Sequence, residues 1–120
     1  MKYLLLIWNN FAAYDAMSED ERNAIYAEVD ELVDELKKSG EFVAGFGLAD
    51  VSQTKTVRVR GGVPAVTDGP FVEAKEQMGG YLIVDCETVD RAVEIAARMP
   101  DARYFALEVR PIMDSAGADM

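Results

Sequence analysis

Side chains suited to acid–base chemistry are concentrated between an Asp-Gly-Pro turn at Asp68 and the apolar segment that begins near Tyr81. The charged ones are Asp68, Glu73, Lys75 and Glu76. A carboxylate beside an ammonium group can transfer protons or orient a ligand. We therefore predict Asp68, Glu73 and Lys75 as catalytic residues. The simpler alternative is a structural turn, since Asp, Gly and Pro favour turns for local backbone reasons.

Two arginines precede this stretch on one predicted strand. Between Lys55 and Val72 the ionisable residues are three basic side chains and Asp68, a local excess of +2 in a chain of net charge −10. Arg58 and Arg60 share one strand face and can hold a carboxylate or phosphate of a small anionic organic ligand. The predicted ligand-binding residues are Arg58, Arg60, Asp68, Glu76 and Tyr81. The alternative is an edge strand that its charges protect from aggregation.

Composition limits the classes of function. With 22 acidic and 12 basic residues, the chain is expected to bind neither nucleic acid nor membranes, because both are anionic. It has no histidine, which excludes an imidazole base and a Ser-His-Asp triad. Its single cysteine, Cys86, excludes an internal disulfide. We predict a cytoplasmic protein without a metal or a cofactor.

Apolar periodicity predicts the order strand–helix–strand, hairpin, strand–helix–strand. A capping box at Ser18 and Glu21 starts the first helix, and Gly40 ends it. Thr88 caps the second helix, which ends at Pro100. The predicted strands span residues 2–8, 41–48, 54–60, 63–67, 80–86 and 105–110. We expect a single domain over residues 1–112 and a flexible tail over 113–120.

This order predicts an α+β fold, a ferredoxin-like sandwich with a hairpin inserted between its two halves. Right-handed crossovers place both helices on one face of the sheet. The other face is also apolar, because Leu4, Leu6 and Trp8 alternate with Tyr3, Leu5 and Ile7 along the first strand. Two arrangements could cover it: a homodimer that packs sheet on sheet, which we favour, or the inserted hairpin folded over the face.

Several landmarks together give the chain a family resemblance. They are Thr56–Arg60, Thr67–Phe71, Glu73, Lys75–Gln77 and Gly79–Tyr81. With them the chain resembles the YCII-related family, in its DGPF-domain branch, over nearly its whole length. The resemblance implies a dimeric α+β barrel and a family without a settled biochemical role. Some members are encoded beside, or fused to, extracytoplasmic-function sigma factors, which implies a possible sigma-factor link.

A related branch of that family carries a His–Asp pair thought to be catalytic, but this chain has no histidine. The leading hypothesis is therefore a homodimeric small-molecule-binding domain with a polar pocket around the DGPF motif. One alternative is a cofactor-free enzyme, isomerase- or lyase-like, that uses a carboxylate for proton transfer. Another is a regulatory module that interacts with a sigma factor.

Overall fold

The structure is a computed structural model that describes residues 1–72 and 74–120. The strands are β1 (Lys2–Asn9), β2 (Phe42–Gly47), β3 (Lys55–Arg60), β4 (Val63–Asp68), β5 (Gln77–Asp85) and β6 (Ala106–Pro111). The helices are α1 (Phe11–Asp15), α2 (Glu19–Ser39), α3 (Val89–Arg98) and α4 (Asp101–Tyr104). A short 3-10 turn covers Val51–Gln53. The predicted order of strands, main helices and hairpin is confirmed.

Four strands form one antiparallel sheet in the order β2-β5-β1-β6. Each long helix therefore connects two strands that have a third strand between them, which is the ferredoxin-like arrangement. The core lies between this sheet and the helices. Its fully buried side chains include Leu5 and Val84 from the central strands and Leu32, Leu36 and Ile95 from the helices. The predicted α+β fold class is confirmed.

The helix α2 begins and ends where the sequence predicts. The Ser18 hydroxyl accepts a hydrogen bond from the Glu21 backbone N–H at 3.1 Å. Gly40 closes the helix in the left-handed conformation, with φ +79°. Acidic residues occupy the first turn, and Lys37 and Lys38 occupy the last, so both ends complement the helix dipole.

The strands β3 and β4 form a separate two-stranded sheet, residues Lys55–Asp68, which we call the arm. Its turn at Gly61 and Gly62 has φ values of +57° and +77°, as a tight hairpin turn requires. Every residue of the arm except Thr56 is exposed. The arm therefore does not fold over the sheet face opposite the helices, and that alternative is wrong for a single copy of the chain.

Several smaller features, α4 among them, were not predicted. The helix α1 follows β1 directly, and its cap Asn10 accepts a hydrogen bond from the Ala13 backbone N–H at 3.0 Å. Near the chain end, the Asp114 carboxylate accepts hydrogen bonds from the backbone N–H groups of Ala116 and Ala118, both at 2.9 Å. Over residues 1–72 and 74–120, no helix is both long and apolar enough to cross a membrane.

Candidate functional site

A cavity of about 700 Å³ lies beside α2, at one end of the four-stranded sheet. Residues of α1, α2, β1, β2 and β5 line it, together with Asp101 at the start of α4. Its ring-bearing lining residues are Phe11, Tyr14, Tyr26, Phe42, Phe46 and Tyr81. A largely apolar concave wall with a few polar groups is typical of a small-molecule site.

Glycines leave room for a polar side chain in this wall. A Cβ atom on Gly79 would lie 2.6 Å from Cγ of Asn9, so the Asn9 side chain lies directly against the backbone of β5. On Gly80 a Cβ atom would lie 2.8 Å from the Phe46 carbonyl oxygen. The Asn9 Oδ1 atom is buried, and no group in the described part of the chain donates a hydrogen bond to it. The cavity therefore has an unsatisfied acceptor in its wall.

Two titratable groups in the lining are shifted by burial. Burial raises the pKa of the Asp101 carboxyl above its ordinary value. Burial also raises the pKa of Tyr14, and the neighbouring Tyr26 and Asp101 add to that shift. The Tyr14 and Tyr26 rings meet edge to face, with centroids 6.3 Å apart. Asp101 and Tyr14 thus form a region of the lining where a proton can be held at a higher pH than usual.

The lining carries more negative than positive charge. Its carboxylates are Asp15, Asp30, Asp50 and Asp101. Lys37 is its single basic residue among the residues described, and its Nζ atom lies 5.4 Å from the centre of the Phe42 ring. Such a lining favours a cation or a ligand rich in hydrogen-bond donors. Across residues 1–72 and 74–120 no group of three or more Cys, Asp or Glu residues is placed to hold a metal ion.

The charged residues of the arm that the sequence predicts as site residues lie outside the cavity. Asp68 forms an ion pair with Lys55, and its side chain is 82% exposed. The Arg58 guanidinium stacks over the Phe71 ring, 4.7 Å from the ring centre. Arg60 donates from Nη1 to its neighbour's backbone, the carbonyl of Val59, at 3.0 Å. Within one copy of the chain, these residues lie on an exposed surface and do not line the cavity.

The segment between the arm and β5 is bent in its described residues. Lys75 and Glu76 are exposed, and Glu73 lies outside the described residues. Gln77 holds the segment, since its Nε2 donates to the carbonyls of Val72 and Ala74 at 3.3 and 2.9 Å. Lys75 therefore lies on a bend that leads from the arm to β5. The catalytic roles predicted for Glu73 and Lys75 stay predictions.

The predicted site and the cavity are neighbours. A second hollow, of about 370 Å³, is lined by Pro70 of the DGPF motif and by Gln77 and Met78. It shares Leu48 and Asp50 with the cavity. Of the predicted ligand-binding residues, Tyr81 is the one among the lining residues of the cavity. Its ring lies 5.9 Å from that of Phe46, and strand pairing places both residues on the sheet face opposite the helices.

Sequence reasoning missed Asn9, Tyr14, Tyr26 and Asp101 as candidate site residues. The sequence carries weak signals for two of them. Asn9 begins a polar pair at the end of an apolar strand, and Asp101 directly follows the proline that ends a predicted helix. Neither signal indicates a cavity, because these residues come together only in the folded chain.

Known proteins place the chain in a family. Residues 1–116 match the YCII-related domain. An uncharacterized protein of Rhizobium meliloti (strain 1021) is 28% identical over 114 residues, which cover 93% of this chain and 92% of that protein. The match therefore includes the sheet, both long helices, the arm and the cavity.

Proposed function

The chain belongs to the YCII-related family, and on that basis we propose that it is a homodimer that binds a small molecule in the cavity. The volume of about 700 Å³ lies within the roughly 300–1,000 Å³ that is typical of ligand sites. The apolar sheet face opposite the helices supports the dimer. Phe46 on that face is 64% exposed, and a second copy would remove this apolar surface from water.

The unsatisfied Asn9 Oδ1 carries the proposal. A buried acceptor without a donor costs about 1–3 kcal/mol. Its position is fixed by the contact with Gly79, since any larger residue there would displace the Asn9 side chain. Because Oδ1 has almost no exposed surface, the Asn9 side chain must first turn towards the cavity. A ligand N–H or O–H group would then supply the missing hydrogen bond and remove that cost.

The charge of the lining selects the ligand class. Asp30 and Asp101 offer carboxylates to a cation, and the aromatic walls offer flat apolar contacts and cation–π faces. The best fit is an organic amine that carries a ring. The small anionic ligand predicted from Arg58 and Arg60 would bind on the arm instead, at a different place from this cavity.

Two probes of similar size and opposite charge test this assignment. Isothermal titration with 2-phenylethylamine and 3-phenylpropionate should show that the amine binds more tightly, by about tenfold or more. Asn9→Leu and Asp101→Asn should each weaken amine binding. Asp34→Asn should not, because Asp34 is exposed on the same helix as Asp30 and lies outside the cavity lining. Equal binding of both probes by all variants would contradict the proposal.

The pH dependence of the same titration has a definite sign. Because burial raises the pKa of Asp101, a larger share of this carboxyl is neutral at mildly acidic pH. Amine affinity should therefore rise with pH as Asp101 loses its proton, and Asp101→Asn should remove that part of the rise. A pH profile that is the same in both proteins would exclude Asp101 as the counter-ion.

The raised pKa of Asp101 also favours a second candidate function, cofactor-free proton transfer. A carboxyl whose pKa is raised by burial is suited to general acid–base catalysis. Tyr14 lines the same cavity, and Asp101 contributes to the raised pKa of its hydroxyl group. Deuterium incorporation into a mixture of small ring-bearing ketones, followed by NMR in heavy water, tests this function. Exchange that the protein accelerates and Asp101→Asn abolishes would establish it, and exchange at the buffer rate would reject it.

A further inference from the structure

The arm is an amphipathic ribbon. Directly paired residues of an antiparallel hairpin lie on the same side, and the pairs Val57–Val66 and Val59–Pro64 give one apolar side. The other side carries the pairs Thr56–Thr67, Arg58–Ala65 and Arg60–Val63. The sixth pair, Lys55–Asp68, falls on the apolar side at the open end of the hairpin. Between that pair and the turn, the alternation indicates that one side of the ribbon is covered and the other faces water.

Within residues 1–72 and 74–120 of one copy, the apolar side stays exposed. Val57 and Val66 are each 61% exposed. The arm shares no strand pairing with the four-stranded sheet. A lone two-stranded hairpin is only marginally stable in water, so the ordered pairing over all six residues of each strand calls for a surface that packs on it.

The four-stranded sheet presents the complementary apolar surface. We define its open face as the side opposite the helices, with Leu4, Leu6, Trp8, Phe46, Tyr81 and Ile83. Phe46 lies at the end of β2 from which the chain leads to the arm. Two copies related by a twofold axis can cover both surfaces at once, because each copy supplies one arm and one open face.

Charge favours a second copy of this chain over nucleic acid, because the net charge of −10 repels a phosphate backbone. Residues 55–72 carry a net charge of +2 in a chain of −10, so the remainder carries −12. Two such remainders repel each other, and a basic arm placed against the acidic remainder of the other copy offsets part of that repulsion.

We propose that each arm lays its apolar side, Val57, Val59, Pro64 and Val66, on the second copy beside the open face. This inference rests on the proposed homodimer and adds the element that clamps it. Residues 69–71 of the DGPF motif directly follow the arm. This arrangement therefore also places them at the junction between the two copies. Arg58 and Arg60 lie on the other side of the arm, which stays in water.

A negative charge introduced on the apolar side of the arm tests whether the arm holds the dimer together. Val57→Asp and Val66→Asp should weaken dimerisation by about 100-fold, since each substitution acts twice in a symmetric dimer. The matched controls Ala65→Asp and Thr67→Asp put the same charge on the opposite side of the arm and should change it less than about threefold. The readout is molar mass by light scattering over a dilution series, with circular dichroism to confirm the fold of each variant.

Thiol labelling identifies what covers the arm. In a Cys86→Ala background, Val57→Cys should react slowly with a maleimide in the concentrated dimer and rapidly after dilution to single copies. Thr67→Cys should react rapidly in both states. Fast labelling of both positions in the dimer would overturn the arm inference while leaving the homodimer intact. A wild-type mass equal to one chain at tens of micromolar would overturn both.

Discussion

The arm and the cavity place polar groups in opposite settings. The arm carries charged residues that are conspicuous in the sequence, and in one copy of the chain they lie in water. The cavity gathers inconspicuous residues from separate elements, among them Asn9, Tyr14 and Asp101, each of which is partly buried. Burial changes the properties of two of these groups. It raises the pKa of Asp101, and it leaves Asn9 Oδ1 without a hydrogen-bond donor in the described part of the chain.

The ion pairs of the arm and of the body of the domain show the same contrast between exposure and burial. Lys55 and Asp68 on the arm have side chains that are 63% and 82% exposed. In the body of the domain, Arg91 of α3 grips Glu41 with two parallel hydrogen bonds, Nε to Oε2 at 2.8 Å and Nη2 to Oε1 at 2.9 Å. This second pair ties α3 to the start of β2, so it is the one that should matter for stability.

The largest difference in stability is expected between packing in the core of the domain and packing on the arm. Leu5 is fully buried at the centre of the sheet, and Leu5→Ala should lower the free energy of unfolding by about 2–5 kcal/mol. Val63→Ala on the polar side of the arm should change it by less than about 0.5 kcal/mol. Urea denaturation followed by circular dichroism measures both. Equal losses would mean that the arm is part of the folding core.

The body ion pair should give the next largest effect. Glu41→Gln removes the charge that Arg91 contacts and should cost about 1–3 kcal/mol near neutral pH. The hydrogen bonds from Arg91 lower the pKa of Glu41 from 4.5 to about 2. A carboxyl with a depressed folded-state pKa stabilises the fold above its unfolded pKa, and this stabilisation is lost as the pH falls.

The stability difference between wild type and Glu41→Gln should therefore be constant above about pH 5 and shrink as the pH falls towards 2. Thermal unfolding at a series of pH values measures this difference. The matched control is Glu94→Gln, because Glu94 contacts the same Arg91 at 3.1 Å but is 67% exposed. A Glu94 effect as large as that of Glu41 would show that burial is not what distinguishes the two carboxylates.

The sequence predicted the elements whose signals are local. The helix α2 could be bounded to within a residue because Ser18 and Gly40 act on backbone groups a few positions away. The fold class followed from the order of such elements. The helix α1 was missed although Asn10 is a good cap residue, because five residues are too few to show a helical period.

The cavity could not be predicted, because it depends on distances between residues far apart in the sequence. Asn9 and Asp101 are separated by more than 90 positions, and the space between their elements depends on how α2 lies over the sheet. The reverse holds for the arm. Its alternation of valines was visible in the sequence, but a pattern along one chain does not state which surface covers it.

Of the two ion pairs, the exposed one on the arm should give the smaller effect. Asp68→Asn breaks an exposed ion pair with Lys55, so it should change the free energy of unfolding by less than about 1 kcal/mol. The change should vanish in about 0.5 M salt because exposed pairs are screened, whereas the Glu41→Gln loss should persist. Urea titrations at low and high salt compare the two variants. A large, salt-resistant loss in Asp68→Asn would show that the arm carboxylate is buried in the assembled protein, which would make the DGPF segment part of an interface or a site.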